Sequence, residues 1–460
     1  MELGFDTIGN ATLIAYDRGP VLATDPWLSG TAYFGSWRLT HSVPDEQLDA
    51  VSRCEYIWLS HGHPDHMHMP SLERLRDKTL LIPDHVGGRI RDFLTAEGYR
   101  VEVLRDRTWR SLSPRVRICS ISDPNQDAIL MVDMNGVLVI DANDASTRGW
   151  SGTVRKAAAR SSPTFLLALS GYGDADMINY FDDAGNRVPP WAAKKMPPGP
   201  EIDARMKRLG ARFFIPFASH HCYQRADSVW ANKYVTAPED HRLGFESTER
   251  EILPAFVRYD CLRDDVATLD PPAPPLHVHE PEEFGDDWSE PLTRDDVEVA
   301  RSYFAAIHTL DGAVDEIVLR VGGTEHVVHA KKGSGRSVVF EAPRASLTKA
   351  MQWTVFDDLL IGNFMRTTLH GAWPGNSLNP VFTAAVAKYA DNGLARTPAE
   401  LRRYFATYRQ RAPLAYVGYQ LAMRRKSAVQ AAARTVRSHV QEGSTPHRIG
   451  RAAYRTIKRI

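Results

Sequence analysis

A layered α/β architecture of mixed sheets, followed by a second, smaller α+β unit, is what this sequence of 460 residues predicts. Three observations carry that reading. Short β-rich runs alternate with helical periodicity through the first half, several of them meet at hairpin punctuation, and near residue 270 the composition shifts before a new set of strands begins.

Taken in order, ATLIAYDRGPVLATDPW (11–27) holds two β-rich runs flanking Asp17-Arg18-Gly19-Pro20, a turn. CEYIWLS (54–60) reads as a buried strand, SLERLRDK (71–78) as helix and LLIP (80–83) as strand. VGGRIRDFLTAEGY (86–99) reads as helix and VEVL (101–104) as strand. Strands resume at 116–122 and at 128–141, which turns at Asn135-Gly136, then at 165–170 and 213–219. DPPAPPLHVHEPEEFGDDWSEP (270–291) has the proline and acid of a linker. Beyond it, 316–330 reads as a hairpin, 337–342 as a strand and 346–365 as helix with a turn. The boundaries expected are a layered α/β domain over 1–265, a linker over 266–295, a small α+β domain over 296–395 and a basic helical tail over 396–460. Residues 401–460 carry fourteen Lys/Arg against one acid, Glu442, which suits a solvated helix or docking to an acidic partner or an anionic substrate carrier.

Lys+Arg and Asp+Glu balance at 56 each, so no global field argues for nucleic acid. No apolar run approaches the ~18–20 residues of a membrane helix, and no basic-then-apolar leader opens the chain. The four cysteines, Cys54, Cys119, Cys222 and Cys261, are scattered without a Cys-x-x-Cys pair. A reduced, cytoplasmic protein is the expectation.

The chemistry gathers at LSHGHPDH (59–66). His61 and His63 alternate by two at a strand end, so both leave one face, and Asp65 and His66 follow on the turn. Imidazole and carboxylate are ligands for zinc, manganese or iron. His277-Val278-His279 also alternates, but within the proline-rich stretch, where a surface position is expected. Asp174 and Asp176 follow a strand, as pocket-lining residues or as part of a polar loop. FDDLLIGNFMRTTLHG (356–371) sets Asp357 and Asp358 in an apolar frame, as a packed interface or as a lid.

LSHGHPDHMHMPSL resembles the metal motif of the metallo-β-lactamase superfamily. TLIAYDRGPVLATDPWLSG is similar to the opening hairpin of the branch that includes the ascorbate-lactonase-like enzymes and the CMP-sialic acid hydroxylases. DPWLSG, the motif and FIPFAS fall in the order of those hydroxylases, and the likeness covers residues 1–245. It implies an αβ/βα four-layer sandwich with two metals at the sheet edge. In family order the ligands are His61, His63, Asp65, His66, Asp123, Asp144 and His220. Asp141 is an alternative to Asp144, and spacing does not separate His220 from His221. His68 and Cys222 are expected outside the ligand set.

Asp123 stands where hydrolases of the family present histidine. Each ion would then see two histidines and a carboxylate, with Asp144 between the ions, a set that resembles non-haem iron oxygenases and the di-iron hydroxylases of platensimycin- and chloramphenicol-type pathways. The resemblance implies a di-iron monooxygenase that hydroxylates a C–H bond of a biosynthetic intermediate, free or carrier-linked, with O₂ as co-substrate. The sialic acid hydroxylases carry a Rieske module that this chain lacks, so electrons would come from a separate reductase. A binuclear zinc or manganese hydrolase acting on an ester, lactone or phosphodiester is the alternative.

Overall fold

The turn at Asn135-Gly136 shows how local chemistry starts the fold. Both residues take positive φ, 52° and 98°, as a two-residue hairpin requires, and Ala128–Met134 pairs antiparallel with Val137–Asn143 across it. The computed structural model describes residues 1–424 apart from Ala175. In it this hairpin is central to a seven-stranded sheet ordered Glu251–Ile252, Phe213–Pro216, Thr164–Ala168, Val137–Asn143, Ala128–Met134, Val116–Ser122, Trp109–Ser111. An eight-stranded sheet faces it, ordered Asp265–Thr268, Val257–Asp260, Leu3–Ile8, Thr12–Asp17, Pro20–Thr24, Tyr56–Trp58, Thr79–Pro83, Arg100–Leu104.

Phe5, Leu13, Trp58, Leu130, Phe165 and Ile215 fill the space between the sheets. Val51 and Leu94, from helices Asp45–Arg53 and Arg89–Ala96, cover Ile57 and Leu80 on the outer face of the eight-stranded sheet. Val154, Ile202 and Met206, from helices Ser151–Ala158 and Gly199–Leu209, cover Ile140 and Phe214 on the other. Central strands are therefore buried on both faces, which is why they read as continuous apolar runs. Each fully buried large side chain contributes ~1.5–3 kcal/mol. This αβ/βα four-layer sandwich resembles the metallo-β-lactamase fold expected from the sequence.

The C-terminal α+β subdomain has a five-stranded sheet ordered Tyr180–Phe181, Arg366–Gly371, Arg336–Glu341, Glu316–Val321, Thr324–Ala330. Helices Arg294–Ala305, Arg344–Gln352 and Phe356–Ile361 pack on it around Phe304, Phe340, Phe356 and Phe382. Its edge strand Tyr180–Phe181 is lent by the first half of the chain.

The proline-rich stretch is laid down rather than free. Pro272 O accepts from Ser42 N at 2.8 Å. Fully buried Arg225 donates to Asp286 at 2.7 Å and to Asp227, and Asp286 also takes the Ser346 hydroxyl at 2.6 Å. A guanidinium withdrawn from water needs such partners. No helix among the described residues is long and apolar enough to cross a membrane. Most of the basic tail, 425–460, lies outside the described residues.

Candidate metal centre

Strand Tyr56–Trp58 delivers the histidine cluster to the edge of the eight-stranded sheet. His61 Nε2 and His63 Nδ1 face each other at 2.8 Å. His66 Nε2 points to the same region, 3.3 Å from Asp65 Oδ2 and 3.7 Å from Asp144 Oδ2, while Asp144 Oδ2 is 3.9 Å from His61 Nε2. Asp65 is fixed by Tyr33, whose hydroxyl donates to Oδ1 at 2.5 Å, and by Asn10 Nδ2 at 2.9 Å from Oδ2.

Behind the cluster stands Asp25, fully buried at a positive φ of 39°. It accepts from Ser60 N at 2.7 Å and Ser60 Oγ at 2.6 Å, and lies 2.9 Å from His66 Nδ1. A carboxylate on the far nitrogen fixes tautomer and ring orientation, and left-handed backbone at a non-glycine residue is strain of the kind stored at functional sites.

The structure separates the adjacent histidines. The His220 ring turns back, with Nε2 3.0 Å from Pro216 O, and packs on Phe256. It is not brought to the cluster. Ala218 at φ 58° turns the chain ahead of it, and neighbouring residues on extended backbone face opposite ways. His221 opens the short strand His221–Tyr223, stacks on Trp37 with ring centroids 3.3 Å apart, and closes no hydrogen bond through either nitrogen. Asp174 Oδ1 is 3.5 Å from its Nδ1.

Asp123 is likewise held by its own turn, accepting from Asn125 N at 2.7 Å and Asp127 N at 3.3 Å. It does not join the group of ligand atoms formed by His61, His63 and Asp144, which all lie within 4.8 Å of one another. Asp127, half-buried just before strand Ala128–Met134, is the carboxylate of this turn whose charge helps raise Asp144. Of the alternatives at the next turn, Asp144 stands at the junction and Asp141 lies behind it, near Asp25.

Burial lowers the His61 pKa far below its usual range, with His66 and His63 adding to the effect. Burial opposes a charge on His66, yet Asp65, Asp25 and Asp144 outweigh it and hold its pKa well above normal. Burial pushes Asp144 up to about 7 and Asp123 also to about 7, the latter with Asp127 contributing. His66 Nε2, Asp144 Oδ1 and both His221 nitrogens are buried without hydrogen-bond partners. Divalent cations would satisfy these atoms and offset the crowded carboxylates, so the donor set fits a metal pair. The geometry is consistent with a binuclear metal centre in a metallo-β-lactamase-fold enzyme.

His68 caps helix Met69–Glu73 through Nδ1 and Ser71 N. His279 lies on the surface beside Glu283. Cys222 is half-buried in the strand after His221. Sequence reasoning did not single out Asp25, although DPWLSG contains it, nor Asp127, four residues past Asp123. It also passed over Lys388, half-buried on the π-helical turn Ala384–Asn392. Its charge acts on both His61 and Asp123, and among the described residues its ammonium makes no hydrogen bond or ion pair.

No family model matches the chain. It is similar to cytidine monophosphate-N-acetylneuraminic acid hydroxylase of Asterias rubens, 29% identical over 135 residues, 27% of this chain and 21% of the relative. The enzyme of that name from Sus scrofa is 28% identical over 157 residues, 32% of this chain and 36% of the relative. The match thus spans well under half the length of these relatives. Among solved structures, an isothiocyanate hydrolase from Delia radicum gut bacteria overlaps 54% of this chain and 95% of its own at a TM-score of 0.36 and 14% identity. CmlA, a diiron β-hydroxylase from Streptomyces venezuelae, overlaps 58% of this chain and 54% of its own at 0.35 and 15%. Overlaps this loose carry no functional argument.

Proposed function

We infer that this chain is a non-haem di-iron monooxygenase that hydroxylates a C–H bond. The observation that carries the reading is the oxygen-rich donor set around the histidine cluster. Within it, His61, His63 and Asp144 already bring ligand atoms together. In this reading His61, His63 and Asp127 would hold one ion, Asp65, His66 and His221 would hold the other, and Asp144 would serve both. Asp127 takes the role expected of Asp123, and His221 that expected of His220. Two histidines and a carboxylate per ion suit iron that changes oxidation state, because anionic oxygen donors favour the ferric form. The partial similarity to enzymes named as hydroxylases supports the same reading.

When bound, the iron pair supplies the redox chemistry that activates O₂. The balance is C–H, O₂, two electrons and two protons giving C–OH and water, with the electrons from a separate reductase. The protein's own part is positioning. Asp25 orients His66, Asn10 and Tyr33 hold Asp65, Trp37 fixes the plane of His221, and the C-terminal subdomain limits water around the site. Lys388, whose ammonium makes no hydrogen bond or ion pair among the described residues, suits an anionic group on a small-molecule or carrier-linked substrate.

Elemental analysis of protein from iron-replete cells, with its absorption spectrum, tests the reading together with O₂ consumption in the presence of a reductant. Two irons and reductant-dependent O₂ uptake are expected. Protein that holds zinc, ignores O₂ and hydrolyses esters would overturn it in favour of a binuclear metallohydrolase.

A further inference from the structure

His63 faces two ways. Its Nδ1 lies on the cluster side, 2.8 Å from His61 Nε2, and its Nε2 lies 3.0 Å from Asp357 Oδ2. Asp357 belongs to the C-terminal subdomain, on helix Phe356–Ile361, and reaches across the junction to this one nitrogen.

That segment is clamped at both ends. Arg89 Nη2 donates to Trp353 O at 2.8 Å, and Ser36 Oγ donates to Gly362 O at 2.6 Å. Asn363 Nδ2 donates to Tyr223 OH at 2.9 Å, and Trp230 Nε1 donates to Asn363 O at 3.1 Å. Between the clamps Phe356 is sunk in the subdomain core, and Ile361 packs with the core of the metal domain. These contacts make 353–363 an interface between the subdomain and the metal domain. Asp357 is therefore held on His63 by packing on both sides.

We propose that Asp357 is the positioning carboxylate of the metal ligand His63, so that the C-terminal subdomain sets part of the affinity of the metal centre. The proposal rests on the binuclear reading above. A histidine that binds metal through Nδ1 keeps a proton on Nε2, and an acceptor there fixes the tautomer, sets the ring plane and raises ligand basicity. Asp25 does this for His66 from within the metal domain. Asp357 does it for His63 from nearly three hundred residues away in sequence.

The test is zinc affinity by competition with a chromophoric chelator and the visible spectrum of the cobalt-substituted protein. Both are measured on full-length wild type, Asp357→Ala and Asp357→Asn, with thermal unfolding of each apo-protein alongside. Asp357→Ala should weaken one of the two sites ~10–100-fold and shift the cobalt bands. Asp357→Asn, which keeps an acceptor oxygen, should recover part of both. Unchanged affinity and spectrum in Asp357→Ala, with wild type binding two ions, would overturn the role of Asp357 and leave the binuclear reading standing. A lower apo stability without any change in affinity would assign Asp357 to packing and also overturn it. The neighbouring Asp358 brings an oxygen within 4.8 Å of the same His63 and Asp357 atoms. Uptake of a third ion, abolished by Asp358→Asn, would make the carboxylate pair a metal site and overturn the positioning role. Wild type that takes up no metal would overturn the binuclear reading and this inference with it.

Discussion

The two walls of the metal centre are built on different scales. One wall, His61 to His66, is made and braced by the amino-terminal part of the chain: Asn10, Asp25, Tyr33 and Ser60 supply its hydrogen bonds. The opposite wall comes from the C-terminal subdomain, as Asp357 on a short helix, with the charge of Lys388, on a π-helical turn, felt at His61. The near wall is braced by hydrogen bonds that leave His66 Nε2 unpartnered, whereas Lys388 makes no hydrogen bond or ion pair among the described residues. On the reading proposed above, the near wall would hold the ions, while the far wall would tune them and meet what binds there. π-Helical turns cluster at functional sites, which agrees with that division.

The largest effect should come from breaking the near wall. His63→Ala is expected to lose at least one of two metal ions, read by elemental analysis, and full metal content would refute its assignment. His221→Ala should also lose metal, whereas His220→Ala should keep both ions and lose only its contacts with Pro216 O and Phe256. The reverse pattern would restore His220 as the ligand.

Next comes the brace. Asp25→Ala strands the Ser60 N–H and His66 Nδ1 in a dry interior. Breaking such a pair costs about 3–5 kcal/mol, to be measured by urea unfolding of the apo-protein. A loss below ~1 kcal/mol would show that Asp25 matters less than its geometry implies.

On the far side, burial pushes the Asp391 carboxyl up to about 7, even though the Tyr303 hydroxyl donates to it at 2.8 Å. A carboxyl whose folded pKa lies above its unfolded value binds an extra proton in the native state. Its contribution is complete below the unfolded value near 4 and is lost as pH rises towards 7. At ~1.4 kcal/mol per pKa unit this amounts to a few kcal/mol at most. The stability difference between wild type and Asp391→Asn should therefore fall across that window and level off above it. A flat difference would contradict the shift.

The smallest effect is expected at Lys388. Lys388→Met should leave metal content and stability nearly unchanged and weaken binding of an anionic ligand, inorganic phosphate being the simplest probe, by about tenfold, or ~1.4 kcal/mol. Equal phosphate affinity in both proteins would remove Lys388 from substrate recognition.

The sequence by itself determined the sandwich and the near wall. Hairpin residues at Asn135-Gly136 and runs apolar enough for strands buried on both faces are local signals. Four of the proposed ligands fall within the six residues 61–66 that follow a strand, and a period of two puts His61 and His63 on one face. Sequence could not choose between His220 and His221, because one residue reverses the face and the deciding turn at Ala218 depends on its bond to Asn10 O. Nor could it tell that Asp123 would spend its oxygens on its own turn while Asp127 acts on Asp144. Only the tertiary structure brought Asp25 behind His66, Asp357 onto His63 and Lys388 towards His61. Each of those placements is decided by how layers and subdomains pack, and no periodicity along the chain encodes it.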